Sequence, residues 1–190
     1  MLDVVLKFFK DELNTYLLAR TSSDLVKVEM RKLVDDSGKL PSDSNDSILA
    51  SIVNIEEDRV FKSQLPEHLY TNGKHIVLEP ELKLNLYVMF AANFGQYDRA
   101  LKYLSHVLTY FQARSSFTSD EYPALDPRVE KLTTELQSLT YEQLNQIWAF
   151  IGGKYLPSVI YKIRVVALQD EAPKIVRPAI EEIATNLHAL

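Results

Sequence analysis

Three segments of the chain carry hydrophobic residues at the spacing of a helix. In the first two segments these residues recur every three or four positions, which places them on one helical face. They are Leu2, Val5, Leu6, Phe9, Leu13, Tyr16 and Leu17, and then Tyr97, Leu101, Leu104, Leu108 and Phe111. A third helix is predicted after Thr140, because Thr140 and Gln143 stand at the spacing of a capping box. Gly152 and Gly153 are expected to end it.

Strands are predicted where hydrophobic and polar residues alternate. The predicted strands are residues 26–30, 48–55, 82–90, 132–136 and 159–167. The segment 48–55 is largely apolar on both faces, so we expect it in the interior of its sheet. The segment 132–136 fits a strand better than a helix, although both are compatible with its pattern. Residues 35–46 and 115–127 are polar or proline-containing and are expected to be loops.

The predicted order is α-β-β-β-α-β-α-β followed by a tail. Because short or hairpin-type links join the strands, we expect an α+β fold with a mainly antiparallel or mixed sheet flanked by about three helices. Residues 1–168 are interpreted as one domain and residues 169–190 as a C-terminal tail or arm. In the tail, Ile180, Ile183, Leu187 and Leu190 have helical spacing. The tail either folds back on its own domain or docks on a neighbouring subunit.

The amino-acid composition argues against nucleic acid and anionic membranes as partners. The 190 residues include 21 Lys and Arg against 26 Asp and Glu, so the net charge is −5. A chain this acidic lacks the basic footprint expected for binding nucleic acid or an anionic membrane surface. It contains no cysteine, which excludes disulfides, thiol nucleophiles and thiolate metal sites. The N-terminal segment lacks the pattern of a signal peptide, so synthesis and assembly in the cytoplasm are expected.

Candidate chemical motifs have simpler structural interpretations. Residues 152–154, Gly-Gly-Lys, follow a predicted helix and are better explained as its C-cap than as a phosphate loop. His68 and His75 are interpreted as exposed loop residues rather than a metal pair. The acidic run 56–59 is interpreted as a solvated strand end. We therefore expect no catalytic residue, no cofactor and no metal site, and the protein is not expected to be an enzyme.

Seven stretches, taken in chain order, resemble one protein family. They are residues 55–59, 78–86, 90–94, 97–101, 122–127, 139–148 and 152–158. Together they resemble the cap, or tail-terminator, proteins of extracellular contractile injection systems. These systems are phage-tail-like particles such as the Photorhabdus virulence cassette and the antifeeding prophage. The resemblance extends over nearly the whole chain, and the segment after Gln169 is its least closely matched part.

The resemblance implies a structural role. The protein would form a ring, with six members, on the distal end of the inner tube, and would stop growth of the tube and the sheath. Its partners would be further copies of itself, the tube protein and the sheath protein, without nucleic acid or membrane. It would be assembled in the cytoplasm and released as part of the extracellular particle. Alternative functions are another assembly component, such as a baseplate or sheath adaptor, or a small-ligand-binding protein.

The surface that meets tube or sheath is predicted in the connection from Glu57 to Glu81 and in the C-terminal tail. This connection is too long for a simple turn, although Asn72 and Gly73 predict a tight turn within it. The predicted interface residues are Arg59, Lys62, Tyr70, Glu79, Glu81, Ile180, Ile183 and Leu187.

Overall fold

The computed structural model describes residues 2–35, 38–39, 46–58, 67–71, 74–78, 83–152, 154–166 and 175–178, with the backbone alone at 67–71, 74–78, 166 and 175–178. These residues form three helices, α1 (Leu2–Thr21), α2 (Tyr97–Ala113) and α3 (Tyr141–Ile151). They also form nine strands, β1 (Val28–Met30), β2 (Ser47–Glu57), β3 (Glu67–Thr71), β4 (Lys74–Leu78), β5 (Leu84–Asn93), β6 (Ser116–Thr118), β7 (Lys131–Gln137), β8 (Ser158–Val166) and β9 (Ile175–Pro178).

Six strands form one sheet in the order β1-β2-β5-β8-β7-β6. The pairing of β1 with β2 is parallel, and the other four pairings are antiparallel. The predicted α+β class with three helices is therefore confirmed, with a mixed sheet. The interior position predicted for β2 is also confirmed, because β2 lies between β1 and β5.

Helices α1 and α2 cover one face of this sheet, which we call face one. Alternate residues of β5, such as Leu86, Val88 and Phe90, point into a core that also contains Phe9 of α1 and Phe111 of α2. All five side chains are buried. Burial of this set follows from the period of two in β5 and the three-to-four spacing in the helices.

Helix α3 covers part of the opposite face, which we call face two. A smaller buried cluster lies there and consists of Leu33, Leu49, Met89, Ala91, Trp148 and Ile160. Thr140 caps α3 as predicted, since its side chain accepts a hydrogen bond from the Gln143 N–H and the Gln143 side chain accepts one from the Thr140 N–H. At the other end Gly152 adopts φ 75°, the left-handed conformation of a C-cap.

Strands also occur in the predicted loop 115–127 and in the long connection, where no strand was predicted. Within the predicted loop 115–127, residues 116–118 form β6, because Phe117 is fully buried against α1 and pairs opposite Leu132. Within the long connection, β3 and β4 form an antiparallel hairpin in which Thr71 pairs with Lys74. Only residues 72–73 join these strands, at the place where the tight turn is predicted. Strand β9, from the segment interpreted as a tail, completes a second sheet in the order β3-β4-β9.

Candidate interaction surface

Most of the predicted interface residues lie outside the described residues. These are Arg59, Lys62, Glu79, Glu81, Ile180, Ile183 and Leu187. The backbone of Tyr70 lies in β3, opposite His75 of β4. His68 and His75 therefore belong to strands, which corrects their interpretation as loop residues. The predicted interface stays a prediction.

The two ends of the long connection lie side by side on the main sheet. The Asp58 N–H donates a hydrogen bond of 2.8 Å to the Lys83 carbonyl. The Asp58 side chain is 4% exposed, and its Oδ2 lies 3.0 Å from Nε of Arg164. The interpretation of the whole run 56–59 as a solvated strand end is therefore wrong at Asp58. A buried carboxylate needs an ionic partner, and Arg164 on β8 supplies one.

An apolar groove lies between α3 and face two, and we call it the α3 groove. It has a volume of about 740 Å³. Its lining is mostly aliphatic, aromatic or amide and consists of Lys32, Leu33, Val34, Ser51, Ile52, Val53, Asn54, Glu56, Tyr87, Gln137, Leu139, Gln143, Gln146, Ile147, Phe150, Ile151 and Ile160. The register of β2 against β5 shifts between Ile52 and Asn54, so a bulge at Val53 lies in the groove.

Two aromatic residues of α3 project into solvent. Phe150 is 91% exposed and lines the α3 groove, whereas Tyr141, at the start of the helix, is 94% exposed and does not line it. Trp148 is the one buried residue of α3. Half-buried hydrophobic residues of α3 also pack against the small cluster. Phe150 thus extends the apolar lining of the α3 groove into solvent.

The polar end of the α3 groove is organised around Tyr87. The Tyr87 hydroxyl donates a hydrogen bond of 2.8 Å to Oε2 of Glu56. Burial raises the pKa of Tyr87, and the nearby carboxylates of Glu56 and Glu135 raise it further. Tyr87 is thus a neutral hydrogen-bond donor at physiological pH, which suits it to positioning and not to proton transfer. Lys162 pairs opposite both Tyr87 and Glu135 in the sheet register.

Above face one, polar contacts join α1 to α2. The Tyr110 hydroxyl donates a hydrogen bond of 3.2 Å to Oε2 of Glu12. Burial raises the pKa of Tyr110 well above its usual range, and the charge of Glu12 adds to this effect. Burial lowers the pKa of His106, and the positive charges of Lys102 and Arg20 lower it further. The hydrogen bond between Tyr110 and Glu12 therefore joins α2 to α1.

A bridge between loops fixes the start of α2. Oδ1 of Asp46 accepts a hydrogen bond of 3.0 Å from the Gly95 N–H, and Oδ2 pairs with Arg99. Arg99 also lies over the ring of Phe94, 5.9 Å from its centroid. The stretches 90–94 and 97–101, which carry part of the family resemblance, therefore meet at this turn.

Sequence reasoning did not find the α3 groove. Its residues come from β2, β5, β7, β8, α3 and the segments 32–34 and 139, which are spread along the chain, so no local motif marks it. One signal was present: Phe150 falls outside the apolar stripe formed by Leu144, Ile147 and Ile151. No group of three or more His, Asp or Glu side chains at metal-binding distance occurs in the described part of the chain. Among the helices described, none has the length and apolarity to cross a membrane.

The solved structures that share this fold include two terminators. One is the sheath/tube terminator of PVC, an extracellular contractile injection system, in the extended state; it matches with a TM-score of 0.62 and 14% identity over 100% of this chain. The other is the tube-terminating cap of the anti-feeding prophage, with a TM-score of 0.55 and 16% identity over 92% of this chain. This fold is therefore one found in terminators of phage-tail-like particles. The match covers 64% and 58%, respectively, of those longer chains.

The family assignment rests on sequence. The family model for the Pvc16 N-terminal domain matches residues 5–182. Since this match includes most of the chain, the protein belongs to the Pvc16 N-terminal domain family. The resemblance seen in the sequence is thus confirmed. No curated protein matches the sequence.

Proposed function

We propose that this protein is a terminator of a contractile injection system. It forms a ring on the distal end of the inner tube and stops polymerisation of the tube and the sheath. The observation that carries the proposal is the family match over residues 5–182, together with two structural neighbours that are both terminators. The protein assembles in the cytoplasm and leaves the cell in the particle. Its role is structural and not enzymatic.

Interface physics explains what such a protein must do. The end of a growing tube presents a ring of identical unpaired surfaces, so a matching ring of terminator subunits can satisfy all of them together. To stop growth, the outer face of the terminator must then offer nothing that the next tube subunit binds. A ring has a defined number of members. We propose that this cap has six, which is the number implied by the family resemblance.

We propose that the excursion between Asp58 and Lys83 contacts tube or sheath. The excursion contains the β3–β4 hairpin and returns to its starting point on the sheet. Because Glu57 and Leu84 are the last residues that pair between β2 and β5, the excursion lies outside that pairing. Long excursions of this kind from a rigid scaffold commonly carry binding residues.

Particle length measures the proposed function directly. Deleting the gene from its cluster should give overlong or ragged particles in electron micrographs, and re-supplying the protein should restore a single length. Normal length with a missing base would support a baseplate adaptor and would contradict the proposal. Unchanged particles would also contradict it.

Charge reversal tests the proposed tube-facing excursion. The substitution Arg59→Glu should leave the folded protein intact by circular dichroism and should produce overlong particles. Lys7→Glu, on the exposed side of α1, is the matched control and should cap normally. Normal capping by Arg59→Glu would remove Arg59 from the interface.

A further inference from the structure

The α3 groove is open to a partner that carries a row of aliphatic side chains. Its lining includes Leu139, Ile147 and Ile151, which are only half-buried, and Phe150 is exposed at its rim. From Gln143 to Ile151 the groove follows nine residues of helix, whose first and last Cα atoms are about 12 Å apart along the axis. A groove of this shape suits an amphipathic helix that inserts side chains at positions i, i+3, i+7 and i+10.

The last residues of the chain have the sequence of such a helix. After Pro178, the segment 179–190 places Ile180, Ile183, Leu187 and Leu190 at spacings of three, four and three. Proline next to the start, and Glu181 and Glu182 in the first turn, favour initiation of a helix there. A helix this short is marginal in water by itself, so it needs a surface to pack against. From Ile180 to Leu190 it would extend about 15 Å, close to the length of the groove.

The register of β9 shows where this segment leaves the fold. Ile175 pairs with Val77 and Pro178 with Lys74, so β9 runs towards the tip of the β3–β4 hairpin. Lys74 adjoins the turn, and Leu78, at the base, leads back to the main sheet. Four residues of strand separate these positions, about 13 Å. Residue 179 therefore starts beside the hairpin turn. Because the proposed ring sets identical copies side by side, the groove of an adjoining copy is the surface that we assign to this segment.

We propose that residues 179–190 of each copy form a helix that binds in the α3 groove of the next copy. This inference rests on the proposed ring, and it names the contact that closes it. The donated segment and the receiving groove are different surfaces, so the contact is head-to-tail, and repeated contacts of this kind close into a ring. The chain thereby supplies its own partner for the apolar surface of α3.

Cross-linking tests the contact in the full-length chain, which has no native cysteine. The double variant Phe150→Cys with Leu187→Cys, treated with a short bismaleimide in purified particles, should give a ladder of dimer, trimer and higher species. A mixture of the two single variants should give dimers only. The control pair Lys7→Cys with Leu187→Cys should remain monomeric. Absence of the ladder, or a link formed only within one chain, would overturn the proposal.

Charged substitutions test the same contact without a cross-linking reagent. Phe150→Asp and Leu187→Asp should each weaken self-association of the purified protein about tenfold or more by analytical ultracentrifugation. Tyr141→Asp is the matched control, since Tyr141 is equally exposed on the same helix but does not line the groove. Equal weakening by all three variants, or by none, would contradict the proposal.

The failure of this inference and that of the proposed function are distinguishable. If gene deletion gives overlong particles but the cysteine pair gives no ladder, the terminator function stands and the segment exchange is wrong. If the ladder forms but deletion leaves particle length unchanged, the exchange stands and the protein has another role in the particle.

Discussion

Two adjacent residues of β2 allow the two faces of the sheet to be perturbed separately. Ile48 and Leu49 are both 0% exposed. Ile48 lies in the core under α1 and α2, whereas Leu49 lies in the small cluster with Trp148 of α3. Replacing each by alanine removes the same number of carbon atoms from the same strand. The two variants therefore differ mainly in which helix loses its packing partner.

The expected magnitudes follow from burial. Each substitution removes three carbon atoms, and at roughly 0.8 kcal/mol per buried methylene the transfer loss is about 2.4 kcal/mol. The residual cavity adds to this loss, which brings such substitutions to about 2–5 kcal/mol. Ile48→Ala should fall in the upper half of that range, because the large core cannot collapse around the cavity. Leu49→Ala should lose about 2–3 kcal/mol, because the cluster beneath α3 borders the open α3 groove and relaxes more easily.

Tryptophan fluorescence separates the two effects, because Trp148 is the only tryptophan in the chain. In Leu49→Ala, loosening of α3 should admit water to Trp148 and shift its native emission to longer wavelength. In Ile48→Ala, the native emission should match that of the unmodified protein. Urea unfolding followed by circular dichroism supplies the free energies of unfolding.

Particular outcomes would refute this reasoning. If Ile48→Ala shifts the native emission as much as Leu49→Ala, the two faces of the sheet are not independent. If Leu49→Ala loses more stability than Ile48→Ala with no change in emission, α3 is held by contacts other than the small cluster.

Two further predictions concern backbone strain and alkaline pH. Gly152→Ala should lower the free energy of unfolding by about 1 kcal/mol, because Gly152 has φ 75°. No atom lies near a new Cβ there, so the cost comes from the backbone and not from crowding. Gly95→Ala is the control, since Gly95 is equally uncrowded but has no positive φ, and it should be nearly neutral; equal costs for the two variants would contradict the explanation. The folded state raises the pKa of Tyr110 above the ordinary value of 10.0, so the unfolded chain loses this proton first as the pH rises. The free energy of unfolding is therefore unaffected by this group below pH 10 and falls as the pH rises further. Tyr110→Phe should lose about 1 kcal/mol at pH 7 and show a shallower decline of the free energy of unfolding with pH, and an unchanged slope would contradict this explanation.

The sequence correctly predicted structural features that depend only on neighbouring residues. The capping box at Thr140 and Gln143, the glycine C-cap at Gly152 and the alternation in β5 each depend on neighbouring residues, and each matches the structure. Strand β6 escaped detection because only Phe117 in its three residues is buried. The burial of Asp58 depends on Arg164, which lies on a strand far along the chain.

The interaction surface was less predictable than the fold, because it depends on tertiary convergence. Val53, Tyr87 and Phe150 meet in the α3 groove only after β2, β5 and α3 have packed. The parallel pairing of β1 with β2 likewise has no local signal, since each strand pattern is compatible with either direction. The residues predicted at the tube-facing surface lie mostly outside the described residues and stay predictions.

The hydrogen bond between Asp58 and Lys83 has an evolutionary consequence. This bond brings the ends of β2 and β5 together as a short turn would. The pairing of the two strands therefore does not depend on the length or sequence of the interval between them. Insertions, deletions and new side chains in that interval are then nearly free of cost to the fold, because the entropy of loop closure grows only slowly with length. Under the proposed function, selection can therefore fit the interval to the tube or sheath subunits of different particles while the same scaffold is inherited unchanged.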